Sequence, residues 1–168
     1  MRILSAIAGL ALLVQGAPKE ASWKDAQGVK VPVPPPDHPR LYLRAKHLPD
    51  LAARLNHPVL KPVADGLRQM AAKDPQVKVE WDALQYLVTR DKELGLAAAA
   101  AALDLLRKAQ LPDVHDACRV TGRWMVTGAI AYDWLYPLLT KDQKDAFVKE
   151  LVRLAKTLEC GYPPAGQG

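Results

Sequence analysis
Tyr132, Trp134 and Tyr136 crowd into five residues, with Asp133 among them, in a chain that has one phenylalanine in total. Aromatic rings stack on sugars, and a carboxylate beside them can move a proton or bind a hydroxyl. The stretch "GAIAYDWLYPLLT", Gly128 to Thr140, is therefore either a carbohydrate-binding or catalytic surface or the packed end of a helix. Helical spacing puts Trp124, Gly128, Ala131 and Leu135 on one face, and Met125, Ala129, Tyr132 and Tyr136 on another. Aromatic stripes at such spacing usually pack, so packing is the simpler reading. Asp133 falls near the helix end, where the helix dipole does not help a carboxylate and a partner is required. Arg123 lies too far along the helix to be the obvious one. Trp134 and Arg123 remain candidates for contact with a glycan.

Other reactive residues form no constellation. His38 precedes a proline in an extended piece, His47 and His57 sit at helix starts, and His115 begins the fifth helix. No two of them have metal-ligand spacing, and no Ser-nucleophile, phosphate-loop or dinucleotide motif occurs. No metal or cofactor is expected. Two cysteines, Cys118 and Cys160, are too few for a disulfide scaffold, although an exported chain can bridge them. Both lie about 28 Å along their helices from the intervening turn at the usual rise. Height permits the bridge, whereas Cys160 projects away from the apolar stripe of its helix, so the pairing stays open.

The elements that must position these residues are helical. Lys46 to Leu55 carries apolar residues at the spacing of one helix face. A second helix follows from Pro58 to about Lys73, and "KDPQVK" interrupts the pattern at Pro75. Glu80 to Thr89 and Asp91 to Ala109 read as the third and fourth helices. The fourth contains "LGLAAAAAALDLL", whose small side chains imply close helix packing. Val114 to about Tyr136 is the fifth helix, and Thr140 to Leu158 the sixth. Thr140 and Gln143 have capping-box spacing, and Phe147, Val148, Leu151, Leu154, Ala155 and Leu158 form one stripe. Short links between such helices make antiparallel neighbours, so the fold class is all-α, built from helical hairpins.

The first part of the chain reads differently. Met1-Arg2, the apolar run Ile3 to Val14 and the small residues around Gly16 have the form of a secretory signal peptide over residues 1–16. The apolar run is shorter than the about 20 residues needed to span a bilayer, so no stable span is expected after cleavage. Residues 17–45 form an extended, Pro-rich leader that includes "VPVPPP", and residues 46–168 form the helical domain. A periplasmic or secreted location follows. The formal net charge is +5 with scattered cations, and no Lys/Arg run marks a nucleic-acid face.

Three stretches, "DHPRLYLRAKHLPDLAARL", "GRWMVTGAIAYDWLYPLLTKDQKDAFVKEL" and "YPPAGQG", resemble the N-terminal α/α-toroid domain of heparinase II/III-like polysaccharide lyases, and the related oligoalginate lyases are similar. The resemblance runs from His38 to Gly168. It implies part of an incomplete α/α toroid and a β-elimination on uronate-containing glycans. In that reaction a base removes the C5 proton, donors hold the carboxylate, and the 4-linked sugar leaves. It also implies a later β-sandwich domain as partner and an acidic polysaccharide as substrate. The family's catalytic segment follows the "YPPAGQG"-like stretch, so no catalytic residue is assigned here. On the same resemblance the final loop runs into the active-site cleft, which makes Tyr162 a stacking candidate and Gln167 a hydrogen-bonding candidate. The expectation is the N-terminal segment of an exported lyase, inactive alone. The alternative is a non-catalytic acidic-glycan-binding or structural helical module.

Overall fold
The computed structural model describes residues 22–110 and 117–159, without the side chains of 117, 118, 120, 121, 158 and 159. The chain divides into two compact units between Pro35 and Pro36. The first contains an antiparallel hairpin, β1 (Trp23–Ala26) and β2 (Val29–Pro32), with Trp23 opposite Pro32 and Ala26 opposite Val29. Its turn is Gln27-Gly28, both at positive φ, as the twist of a two-residue hairpin demands. Asp25 fixes the turn by accepting the Gly28 N–H at 2.9 Å. The leader thus holds a hairpin that extended-chain reasoning alone did not reveal. Gln is an uncommon first residue in such a turn, so the signal was weak.

The second unit is all-α. A 3₁₀ turn (Ala45–Asp50) leads to α1 (Leu51–Leu55), α2 (Lys61–Ala71), α3 (Pro75–Thr89), α4 (Lys92–Lys108), α5 (Ala117–Leu135) and α6 (Lys141–Glu159). The expected first helix, Lys46 to Leu55, is split in two, with Pro49 inside its 3₁₀ part. Proline lacks the N–H that an α-helix interior needs. The third helix begins at Pro75 rather than Glu80. Asp74 caps it by accepting the N–H groups of Gln76 at 2.8 Å and Val77 at 3.3 Å. Pro75 then occupies the first helical position, where a missing N–H costs nothing, so it starts the helix instead of breaking it.

α3, α4 and α5 pack on one another; α2 packs on α3, and α6 packs on both α4 and α5. The alanine run works as its composition suggests. Ala98, Ala99 and Ala102 are buried in the centre, with Ala83 from α3 and Ala131 from α5. Two glycines bring the contact closer still. A Cβ on Gly95 would lie 2.5 Å from Leu138 Cδ1, and one on Gly128 would lie 2.8 Å from Leu106 Cδ1. Phe147 and Leu154 of α6 fill the remaining core.

The ends are closed by side chains. Asp91 caps α4 through Glu93 and Leu94, and Thr140 and Gln143 form the expected reciprocal box at the start of α6. Arg153 of α6 donates to the Leu106 and Ala109 carbonyls at 2.7 and 3.2 Å, which satisfies the C-terminus of α4. Inside the bundle, Thr127 of α5 donates its hydroxyl to Glu80 of α3. Among the described residues no helix is long and apolar enough to cross a membrane.

Candidate functional site
Asp133 sits in the last turn of α5 at 2% exposure. A carboxylate there has neither water nor a favourable dipole, so it must be held by donors. They come from the segment His38 to Leu43. Asp133 Oδ2 accepts the backbone N–H groups of Arg40 at 2.7 Å and Leu41 at 2.8 Å. Its Oδ1 meets His38 Nδ1 at 2.6 Å, and Arg40 Nε lies 3.7 Å away. Next to it, Trp134 Nε1 donates to the Leu41 carbonyl at 3.0 Å. One acid and one indole thus fasten "HPRL" across the end of α5 as a strap.

The His38 ring is pinned on both sides. It bonds Asp133 and stacks on Tyr136 with centroids 3.8 Å apart and planes 8° from parallel. Lys144 of α6 places its ammonium 3.7 Å from the Tyr136 ring centroid, a cation–π contact. Tyr132 meets Tyr136 edge-on and tilts against Phe147. Burial pushes the Tyr132 hydroxyl above its ordinary pKa, and Tyr136 adds to the rise. His38 and Tyr132 have the residue types of an acid/base pair, but the His38 side chain is only 7% exposed. A ring so enclosed is not offered to a polysaccharide.

The strap does offer Tyr42. It has φ +58° and is 80% exposed. That left-handed backbone is costly for a bulky aromatic and persists because Asp133 and Trp134 fix the residues before it. Beside it lies a shallow depression lined by Arg40, Leu41, Tyr42, Val126, Ala129 and Ile130. Arg123 stands one helical turn before Val126 on α5, largely exposed, and contacts Asp74 at 3.3 Å.

The expected contact residues separate on the structure. Arg123 is at the surface near the depression. Trp134 is 9% exposed and packed in the core cluster, so its ring has a packing role rather than an open face. Tyr162, Gln167 and Cys160 lie outside the described residues, as does the Cys118 side chain, so the expected loop contacts and bridge have no geometry here. Sequence reasoning missed Tyr42. Its only signal was an aromatic in the "LYL" triplet, and nothing local marks a positive φ there. Among the described residues no group of three or more His, Cys, Asp or Glu could hold a metal. No protein-family model and no curated protein matches this chain.

Proposed function
We propose that this chain is the N-terminal helical segment of an exported polysaccharide lyase that acts by β-elimination on uronate-containing glycans, and that it is inactive alone. One observation supports the reading. Two of the three stretches that carry the resemblance hold each other where "HPRL" meets "AYDWLY", through Asp133 and Trp134. The residues that carry the resemblance in both places thus belong to one structural unit. Export rests on the N-terminal signal pattern, and the toroid and the later β-sandwich rest on the resemblance. His38, enclosed between Asp133 and Tyr136, takes no part in proton transfer to the substrate. The test is incubation with alginate, heparin and heparan sulfate while following the ultraviolet absorbance of 4,5-unsaturated uronate. No product is expected, and turnover by this chain would overturn the inactivity.

A second reading, glycan binding without cleavage, is favoured by Tyr42. The ring is exposed at the surface with Arg40 beside it and Arg123 a short way along α5. Stacking and guanidinium–carboxylate pairing are the two contacts an acidic sugar needs. Binding to alginate at two salt concentrations tests it. Tyr42→Ala weakens the affinity if the reading holds, and absence of binding at low salt removes it.

A further inference from the structure
A different surface carries the stronger set of sugar-recognising groups. A cavity lies among α1, α2 and α3, walled by Trp81 and rimmed by Asn56, Lys61, Asp65, Arg68 and Gln85. Gln85 follows Trp81 by one turn of α3, so indole and amide face the same space. The Asn56 amide donates to Ala52 O at 2.9 Å, which directs its carbonyl oxygen away from that bond. Buried Ala64 lies at the floor and exposed Ala52 at the edge, and their small side chains leave room.

The charges on the rim do not cancel. Asp65 is shared by Lys61 at 2.8 Å and Arg68 at 3.4 Å, two cations on one carboxylate. The Lys61 hydrogen bond holds the Asp65 carboxyl below the usual carboxylate range, so it stays ionised near neutral pH. One positive charge is left over. The Arg68 guanidinium lies over the Trp81 ring, 5.6 Å from its centroid, and the side chain is largely exposed, so a ligand carboxylate that draws it aside uncovers the indole face while keeping the cation in reach.

We propose that this cavity is a subsite for a carboxylated pyranose, with the sugar's C–H face on Trp81, its carboxylate at Arg68 and its hydroxyls at Asn56, Asp65 and Gln85. A neutral sugar has no carboxylate for Arg68 to pair with. An inorganic anion has no apolar face for the indole. The choice of a uronate glycan rests on the acidic-glycan reading above, but the cavity is separate from Tyr42 and α5.

The test uses the full chain with an alginate tetramer as probe and maltotetraose as the neutral control, at low salt. The readout is the Trp81 indole N–H in a nitrogen–proton correlation spectrum, assigned with Trp81→Phe. The tetramer shifts that signal saturably, and the neutral control does so with affinity at least about tenfold weaker. Arg68→Gln lowers the tetramer affinity about tenfold, the loss of one charge-assisted contact. Arg68 is largely exposed, so this variant folds, and an unchanged backbone spectrum verifies it. An unmoved Trp81 signal, equal affinity for the neutral tetramer, or an unaffected Arg68→Gln variant would each overturn the subsite. Tyr42→Ala separates the two surfaces: it leaves the Trp81 shift intact if the subsite exists, whatever happens to binding at α5 or to the lyase reading.

Discussion

Asp133 accepts the backbone N–H of Leu41 at 2.8 Å across 92 residues of sequence. With the Arg40 N–H and His38 it turns a proline-flanked segment into a fixed strap on α5. Replacing it with alanine leaves two backbone donors and a buried imidazole without their acceptor. We expect Asp133→Ala to lower unfolding stability by about 3 kcal/mol, since breaking a buried, hydrogen-bonded charge costs that order. Urea denaturation at neutral pH measures it. A change below about 1 kcal/mol would mean that water replaces the carboxylate and that the clamp is weak.

The glycines of the bundle divide by what surrounds them. Gly128→Ala pushes a Cβ to within 2.8 Å of two Leu106 methyls in the core. Overpacking there costs about 1–3 kcal/mol and outweighs the about 1 kcal/mol that alanine gains in helix propensity. Gly66 in α2 meets nothing within 4 Å, so Gly66→Ala stabilises by about 0.5–1 kcal/mol. Thermal unfolding of the two variants should move in opposite directions, and a shared sign would contradict this packing.

Tyr132 provides a signature at alkaline pH. Its hydroxyl is raised chiefly by burial, so the folded state holds the proton more tightly than the unfolded chain. A raised pKa gives a contribution that is complete below the unfolded value near 10 and is lost as pH rises through the folded value. Tyr132→Phe removes that dependence while keeping the ring beside Tyr136 and Phe147. Urea midpoints between pH 8 and 11 should fall more steeply for the natural chain than for Tyr132→Phe. Parallel curves would show that the phenol is solvated.

Local chemistry was enough for much of the helical unit. Apolar spacing, the alanine run and the Thr140/Gln143 box located helices and one cap within a few residues, because they depend on neighbours three or four positions away. Where the reading erred, at Pro75 and Pro49, the position of a proline within the helix decided its effect, and the residue type alone does not give that position. The hairpin in the leader depended on two positive φ angles at Gln27-Gly28, only one of which glycine advertises. Asp133 was visible from the start as an acid needing a partner at a helix end. Its partners were not, because they arrive from a segment more than ninety residues earlier. The meeting of Arg68 with Trp81 likewise depends on how α2 packs on α3. Residues far apart in the chain are brought together only when the core closes, and periodicity within one helix carries no record of which face another helix will cover.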